Sequence, residues 1–239
     1  MGPETRLIIS CEHAGNTVPD AYRHLFYEYD DLLQTHRGWD IGALDLAELL
    51  AQDCSATLFS HKVTRLLVDV HRSLYRRTLF SEITKSQDKT VRQAILEAYY
   101  YPYRNTLEHA VRSAIEKGCR VVHISQHSFT PVLKGQERHC DVGLLYDPGR
   151  RWEKPFAMAW KKLLLQHNPS LRVRYNYPYR GKPDGLPACF RRLFDDEHYI
   201  GFELEINQKI PLASDSSWPH LMEIISQSLQ KTIGNIFPT

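Results

Sequence analysis

Two histidines far apart in the chain, His13 and His127, each follow a short apolar run and precede loop residues. Two imidazoles and one carboxylate, with a fourth position left open, make the usual catalytic zinc set. Asp40, at the start of a helix-patterned run, is placed as the third ligand, with Glu12 and Asp69 as rivals. A lone histidine is more often a hydrogen-bonded core or surface side chain; the pair at strand ends is what points to a metal. Glu203 and Glu205 alternate along one strand and so share a face. A carboxylate beside metal-activated water can take its proton and pass it to a leaving amine. Two acids in a strand can also be an ordinary solvated face, because Phe202, Leu204 and Ile206 occupy the opposite side. Arg72 directly continues an apolar run, and its planar fork can grip a substrate carboxylate. Arg65, Arg76 and Arg77 read as surface charges.

Competing constellations are weaker. His123 is four residues before His127 and faces the same way on a strand, but its apolar surroundings suit a satisfied core histidine. In His139-Cys140-Asp141 adjacent side chains point to opposite faces, so the three cannot easily share an ion. Cys11 with His13 could form a thiol–imidazole pair, yet nothing marks an activated thiolate. The chain contains no GxSxG elbow, P-loop or GxGxxG pattern.

The elements that must position these residues alternate in type. Short apolar runs at 7–9, 56–59, 66–70, 120–125, 142–146, 171–175 and 199–206 read as strands. Helical spacing marks 38–51, 90–117, 152–167 and 218–233, with Pro102 kinking the second or opening another helix. Residues 75–89 and 177–196 read as long irregular loops. The alternation predicts an α/β fold: a mixed, largely parallel sheet flanked by helices on both faces, in one domain spanning 1–239. In such sheets ligands bind beyond the carboxyl ends of the strands. His13, the Asp69–Arg72 group, His127 and the two glutamates therefore converge on one edge.

Composition narrows the classes further. The 239 residues carry 30 Lys+Arg against 28 Asp+Glu, a net charge of +2, which gives no case for a nucleic-acid reader. No run approaches the ~20 apolar residues of a membrane span, and the N-terminus lacks a signal-peptide pattern. Five cysteines without a CxxC pair fit reduced thiols, so a cytoplasmic location is expected.

Seven blocks in order resemble the N-formylglutamate amidohydrolase family: residues 7–19 (containing Cys-Glu-His-Ala-Gly-Asn), 36–43, 64–72, 126–131, 141–147, 176–181 and 203–208. The family is related to zinc-dependent exopeptidases and amino-acid deacylases. The resemblance implies zinc held by His13, Asp40 and His127, Glu205 as general base, and Arg72 on the substrate carboxylate. It also suggests Arg138 and Asn176 as further substrate contacts. Relatives commonly read Asp-Leu-Asn-Arg where this chain has Asp-Val-His-Arg, so His71 replaces an asparagine. That histidine could still donate to a carboxylate or alter the preferred substrate. The expected function is release of the acyl group from a small anionic N-acyl amino acid, N-formyl-L-glutamate first. A peptidase with a wider cleft and a non-catalytic binding module are the rivals.

Overall fold

The computed structural model describes residues 2–213 and 215–238. Strand β1 (Thr5–Cys11) leads through a 3-10 turn (Asp20–Leu25) and the single turn α1 (Asp30–Leu33) to helix α2 (Ala43–Asp53) and strand β2 (Thr57–Ser60). Helices α3 (Lys89–Ile95) and α4 (Tyr101–Glu116) are joined by a π-helical turn (Leu96–Tyr100). Then come β3 (Arg120–Phe129), the small hairpin β4 (Val132–Leu133) and β5 (Gln136–Glu137), β6 (Val142–Leu145), α5 (Glu153–His167), β7 (Val173–Tyr175), α6 (Leu186–Leu193), β8 (Tyr199–Asn207) and α7 (Ser217–Ile236).

The main sheet runs in the order β2-β1-β3-β8-β6-β7, parallel throughout except where β6 meets β8. The expected mixed, largely parallel sheet is therefore present. Every residue of β3 and β8 is buried, as central strands covered on both faces require. One face carries Val122, Ile124, Phe202, Leu204 and Ile206 against α2, α5 and α7. On the other face, Ile8, Val121 and Tyr199 pack against α4 and α6. Strand alternation puts His123, Ser125, His127, Glu203 and Glu205 on that second face, running towards the carboxyl ends. Glu203 and Glu205 are about 95% buried, so the solvated-face reading fails.

Three expectations need correction. Residues 66–70 do not form a strand. They make a turn, with Leu67 N–H donating to Thr64 O and Asp69 N–H to Leu79 O. Leu66, Leu67, Val68 and Val70 bury themselves in a separate cluster with Phe26, Leu79 and Ile95. A short apolar run signals burial and leaves the type of element open.

Helix α2 starts at Ala43 and not near 38, because Gly42 adopts φ 79°, outside helical space. A Cβ there would lie 2.6 Å from Pro211 Cβ. Asp40 thus stays in a loop, free to face the sheet edge. The segment 177–196 is not irregular throughout, since it contains α6, opened by Pro187 in its first turn. Pro102 opens a second helix, as expected: it sits in the first turn of α4, directly after the π turn, where a missing N–H costs little.

Candidate active site

At the carboxyl end of β1 the chain leaves the sheet through Glu12 and His13. The backbone N–H of Asp40 donates to the carbonyl of His13 (3.0 Å), tying the Asp40 loop to the end of that strand. Both imidazoles turn Nδ1 towards one oxygen: Asp40 Oδ2 is 3.2 Å from His13 Nδ1 and 2.9 Å from His127 Nδ1. The three ligating atoms lie within 4.8 Å of one another, and all three side chains are buried. The two histidine rings are 5.0 Å apart.

The remaining imidazole nitrogens are anchored on carboxylates. His13 Nε2 is 2.8 Å from Asp69 Oδ1, and His127 Nε2 is 2.9 Å from Glu12 Oε2. Such outer carboxylates fix the tautomer and aim of metal-ligating histidines. Two imidazoles and a carboxylate, each backed in this way, have the donor chemistry of a divalent transition-metal site. A second grouping, Glu12, His71 and His127, is equally compact. Glu12, however, is fully buried behind the cleft wall and accepts from the hydroxyls of Ser125 (2.6 Å) and Tyr103 (3.1 Å). An ion there would have to take His127 from the first site.

Charge is concentrated around this cluster. Burial alone would raise the Asp40 pKa, but His13, His127 and Arg65 overcome it and hold the carboxyl well below its ordinary range. Arg65 reaches Asp40 Oδ1 at 3.2 Å and Asp69 Oδ2 at 3.0 Å, clamping the two carboxylates that face His13. Burial pushes Glu205 up to about 8 and Glu203 up to about 7. In the strand register Glu205 sits beside His127, and Glu203 beside Ser125. Glu203 Oε1 and Glu205 Oε2 are buried without a hydrogen-bond partner, and both side chains line the cleft. Two unpartnered carboxylate oxygens next to the cluster are well placed to handle protons.

The cleft has a volume of about 550 Å³ and is walled by His13, Asp40, His127 and the two glutamates on its inner side. Arg72 lines it too, held only loosely by Asp69 (3.7 Å) and Asp184 (3.8 Å), while its backbone carbonyl accepts from Tyr100 OH. His71 is buried between Glu12 (3.6 Å) and Glu203 (3.8 Å), and burial lowers its pKa to about 3. Gly185 packs directly on it: a Cβ there would lie 2.6 Å from His71 Nε2 and 2.7 Å from Glu203 Oε1.

Comparison with known proteins places this arrangement. The family model described as N-formylglutamate amidohydrolase matches residues 5–210. The chain belongs to that family. It is a hydrolase of the N-formylglutamate amidohydrolase family, and its buried cluster could bind a metal. A solved structure of a gene product from Agrobacterium tumefaciens is similar over 96% of this chain and 91% of its own, at 28% identity and a TM-score of 0.80. The N-formylglutamate amidohydrolase from Ralstonia eutropha JMP134 shares the fold over 98% of this chain and 95% of its own, at 17% identity and a TM-score of 0.72. No curated protein matches the sequence.

The structure brings His13, Asp40, His127, Glu203, Glu205, His71 and Arg72 together, and sets two other candidates apart from the cleft wall. Asn176, with φ 49°, uses Oδ1 to accept the backbone N–H groups of Tyr146 and Gly181, holding the loop after β7. Arg138 donates to Tyr179 OH at 3.1 Å and lies over the rings of Tyr179 and Phe129, so it stands behind two residues of the cleft wall. Asp69, considered as a ligand, faces the far nitrogen of His13. His123 is a satisfied core histidine, with Ser10 Oγ and Tyr199 OH each at 2.7 Å. Cys11 is buried in the apolar cluster, and desolvation raises its thiol well above the ordinary value. His139 is exposed near Glu137, whereas Asp141 pairs with Arg172 and Lys209.

Sequence reasoning missed Arg65, Asp184 and Ser125. Arg65, far from being a surface charge, lies four residues before Asp69 and reaches Asp69 and Asp40 because the segment 64–72 turns back on itself. Asp184 accepts from Ser73 Oγ (2.7 Å) and Arg76 (3.0 Å), which no linear spacing signals. Ser125 precedes His127 by two on the same strand face, and that alternation was a usable signal.

Among the described residues, no helix is long and apolar enough to cross a membrane.

Proposed function

We propose that this protein is a zinc-dependent amidohydrolase that cleaves a small N-acyl amino acid, with N-formyl-L-glutamate as the leading substrate. The observation that carries the reading is the convergence of two Nδ1 atoms on Asp40 Oδ2, with Glu205 beside His127 in the register of β3 and β8. His13, Asp40 and His127 would hold the ion. A bound divalent ion supplies polarisation of the scissile carbonyl and acidifies water at neutral pH.

The chain's own residues do the rest. Arg72, loosely held and facing the cleft, binds a substrate carboxylate through its fork. That contact aligns the formyl carbon with the inner wall. Glu205 takes a proton from the attacking water and returns it to the departing nitrogen, giving formate and glutamate from the formyl compound. Burial alone raises its pKa, and a bound cation nearby would draw it back down towards the range a general base needs. Glu203 and His71 border the same space and shape the pocket for the acyl amino acid. The family match supports the amide as the bond broken. A cytoplasmic location accords with the five free cysteines.

The test is a screen of zinc-loaded protein against N-formyl, N-acetyl and N-succinyl amino acids. Turnover of N-formyl-L-glutamate above the others supports the assignment. Activity confined to long peptides would replace it with a peptidase.

A further inference from the structure

Beyond the catalytic cleft, a second groove of about 620 Å³ opens between the segment after Leu74 and helix α3. It shares Arg77, Phe80 and Lys85 with the cleft wall, so the two lie side by side. Five of its lining side chains are cations (Arg76, Arg77, Lys85, Lys89, Arg92), and the rest of the wall is uncharged. Arg76 is paired with Asp184 at 3.0 Å, but Arg77, Lys85, Lys89 and Arg92 form no ion pair among the described residues. Lys89 and Arg92 are three apart on α3 and share a face, and the Arg92 guanidinium lies 6.0 Å over the Phe80 ring with its Nε unpartnered. The whole chain carries only +2, so this excess is local. A cationic trough with no internal carboxylate is an electrostatic complement to an anionic chain.

From this adjacency and the local positive charge we infer that the enzyme takes acidic peptides: one end enters the catalytic cleft while further carboxylates lie along Arg77, Lys85, Lys89 and Arg92. An amide-bearing chain is favoured over a polynucleotide because the trough borders the amidohydrolase cleft. The inference rests on the proposed function for what happens at the cleft, but the groove can be tested without turnover.

Binding of two formyl peptides, formyl-Glu-Glu-Glu-Glu and formyl-Glu-Ala-Ala-Ala, is measured by calorimetry at low salt on the zinc-loaded protein. The tetraglutamate should bind about tenfold more tightly, with the advantage shrinking as salt screens exposed charge. The double variant K89E/R92E should erase it while leaving N-formyl-L-glutamate kinetics unchanged. K89A/R92A should show a partial loss, which keeps the test decisive if charge reversal disturbs folding. Tight, salt-sensitive peptide binding with no hydrolysis of any formyl compound would fail the amidohydrolase reading and uphold the groove. Equal affinities for the two peptides, or competition by a short oligonucleotide as strong as by the tetraglutamate, would overturn the inference.

Discussion

Asp69 Oδ1 lies 2.8 Å from Nε2 of His13, on the opposite side of the imidazole from Asp40. Arg65 bridges the same two carboxylates, so His13 is held between a pair of acids that a single guanidinium keeps in place. The ring's orientation is thereby set by the protein's own side chains.

Replacing Asp69 with Asn puts an amide where His13 expects a carboxylate. Zinc affinity should fall by roughly 10- to 100-fold, as for other lost outer-shell partners. Competition with a chelator reads this directly. An unchanged affinity would remove Asp69 from the site's support.

Glu205→Gln keeps the shape of the side chain and removes the base. Turnover of N-formyl-L-glutamate should drop by about 10²-fold or more, with one zinc still bound by elemental analysis. Glu203→Gln, one step further from the imidazole pair along β8, should cost much less. If the two variants lose activity equally, Glu205 is not the distinct base.

Gly185 has φ 124°, a conformation L side chains rarely adopt, and it abuts His71 and Glu203. Gly185→Ala should destabilise the fold by about 1–3 kcal/mol and raise KM as His71 is pushed aside. Thermal melting and steady-state kinetics on the same preparation check both effects. A variant with unaltered melting temperature and KM would show that the contact is easily relieved.

His123 gives a pH prediction in which burial outweighs the opposing effect of Glu12 and adds to that of Arg191 and His127. Burial lowers its pKa from the ordinary 6.5 to about 4. The unfolded chain binds a proton between those values and the folded one does not, so the contribution is complete above pH 6.5 and is lost as pH falls towards 4. Between pH 7 and 5 this one group should remove about 2 kcal/mol. Urea midpoints of the wild type and His123→Gln should diverge by that amount; parallel acid losses would show that His123 is not protonated on unfolding.

The two glutamates illustrate what linear pattern conveys. The alternation Phe202-Glu203-Leu204-Glu205-Ile206 established that both acids share a face, and the structure keeps that face. Whether it met water or the interior was undecidable from the strand alone, because burial of a polar face depends on what α4 and α6 bring to it. His13 and His127 were legible for a related reason: each ends an apolar run, and parallel strands align their ends. Asp40 was legible as a residue but misplaced on a helix, since the left-handed Gly42 that ends its loop leaves no periodic trace.

Order along the chain, in the end, determined the α/β alternation, the sheet's two faces and which histidines stand at strand ends, because side-chain period and strand polarity are local properties. Tertiary structure alone decided that residues 66–70 turn and do not pair, that Arg65 clamps two acids, and that Asp69 backs His13 and does not compete with Asp40. Those outcomes depend on contacts between segments tens of residues apart, where a buried charge is tolerable only once its partner has been brought within hydrogen-bonding reach.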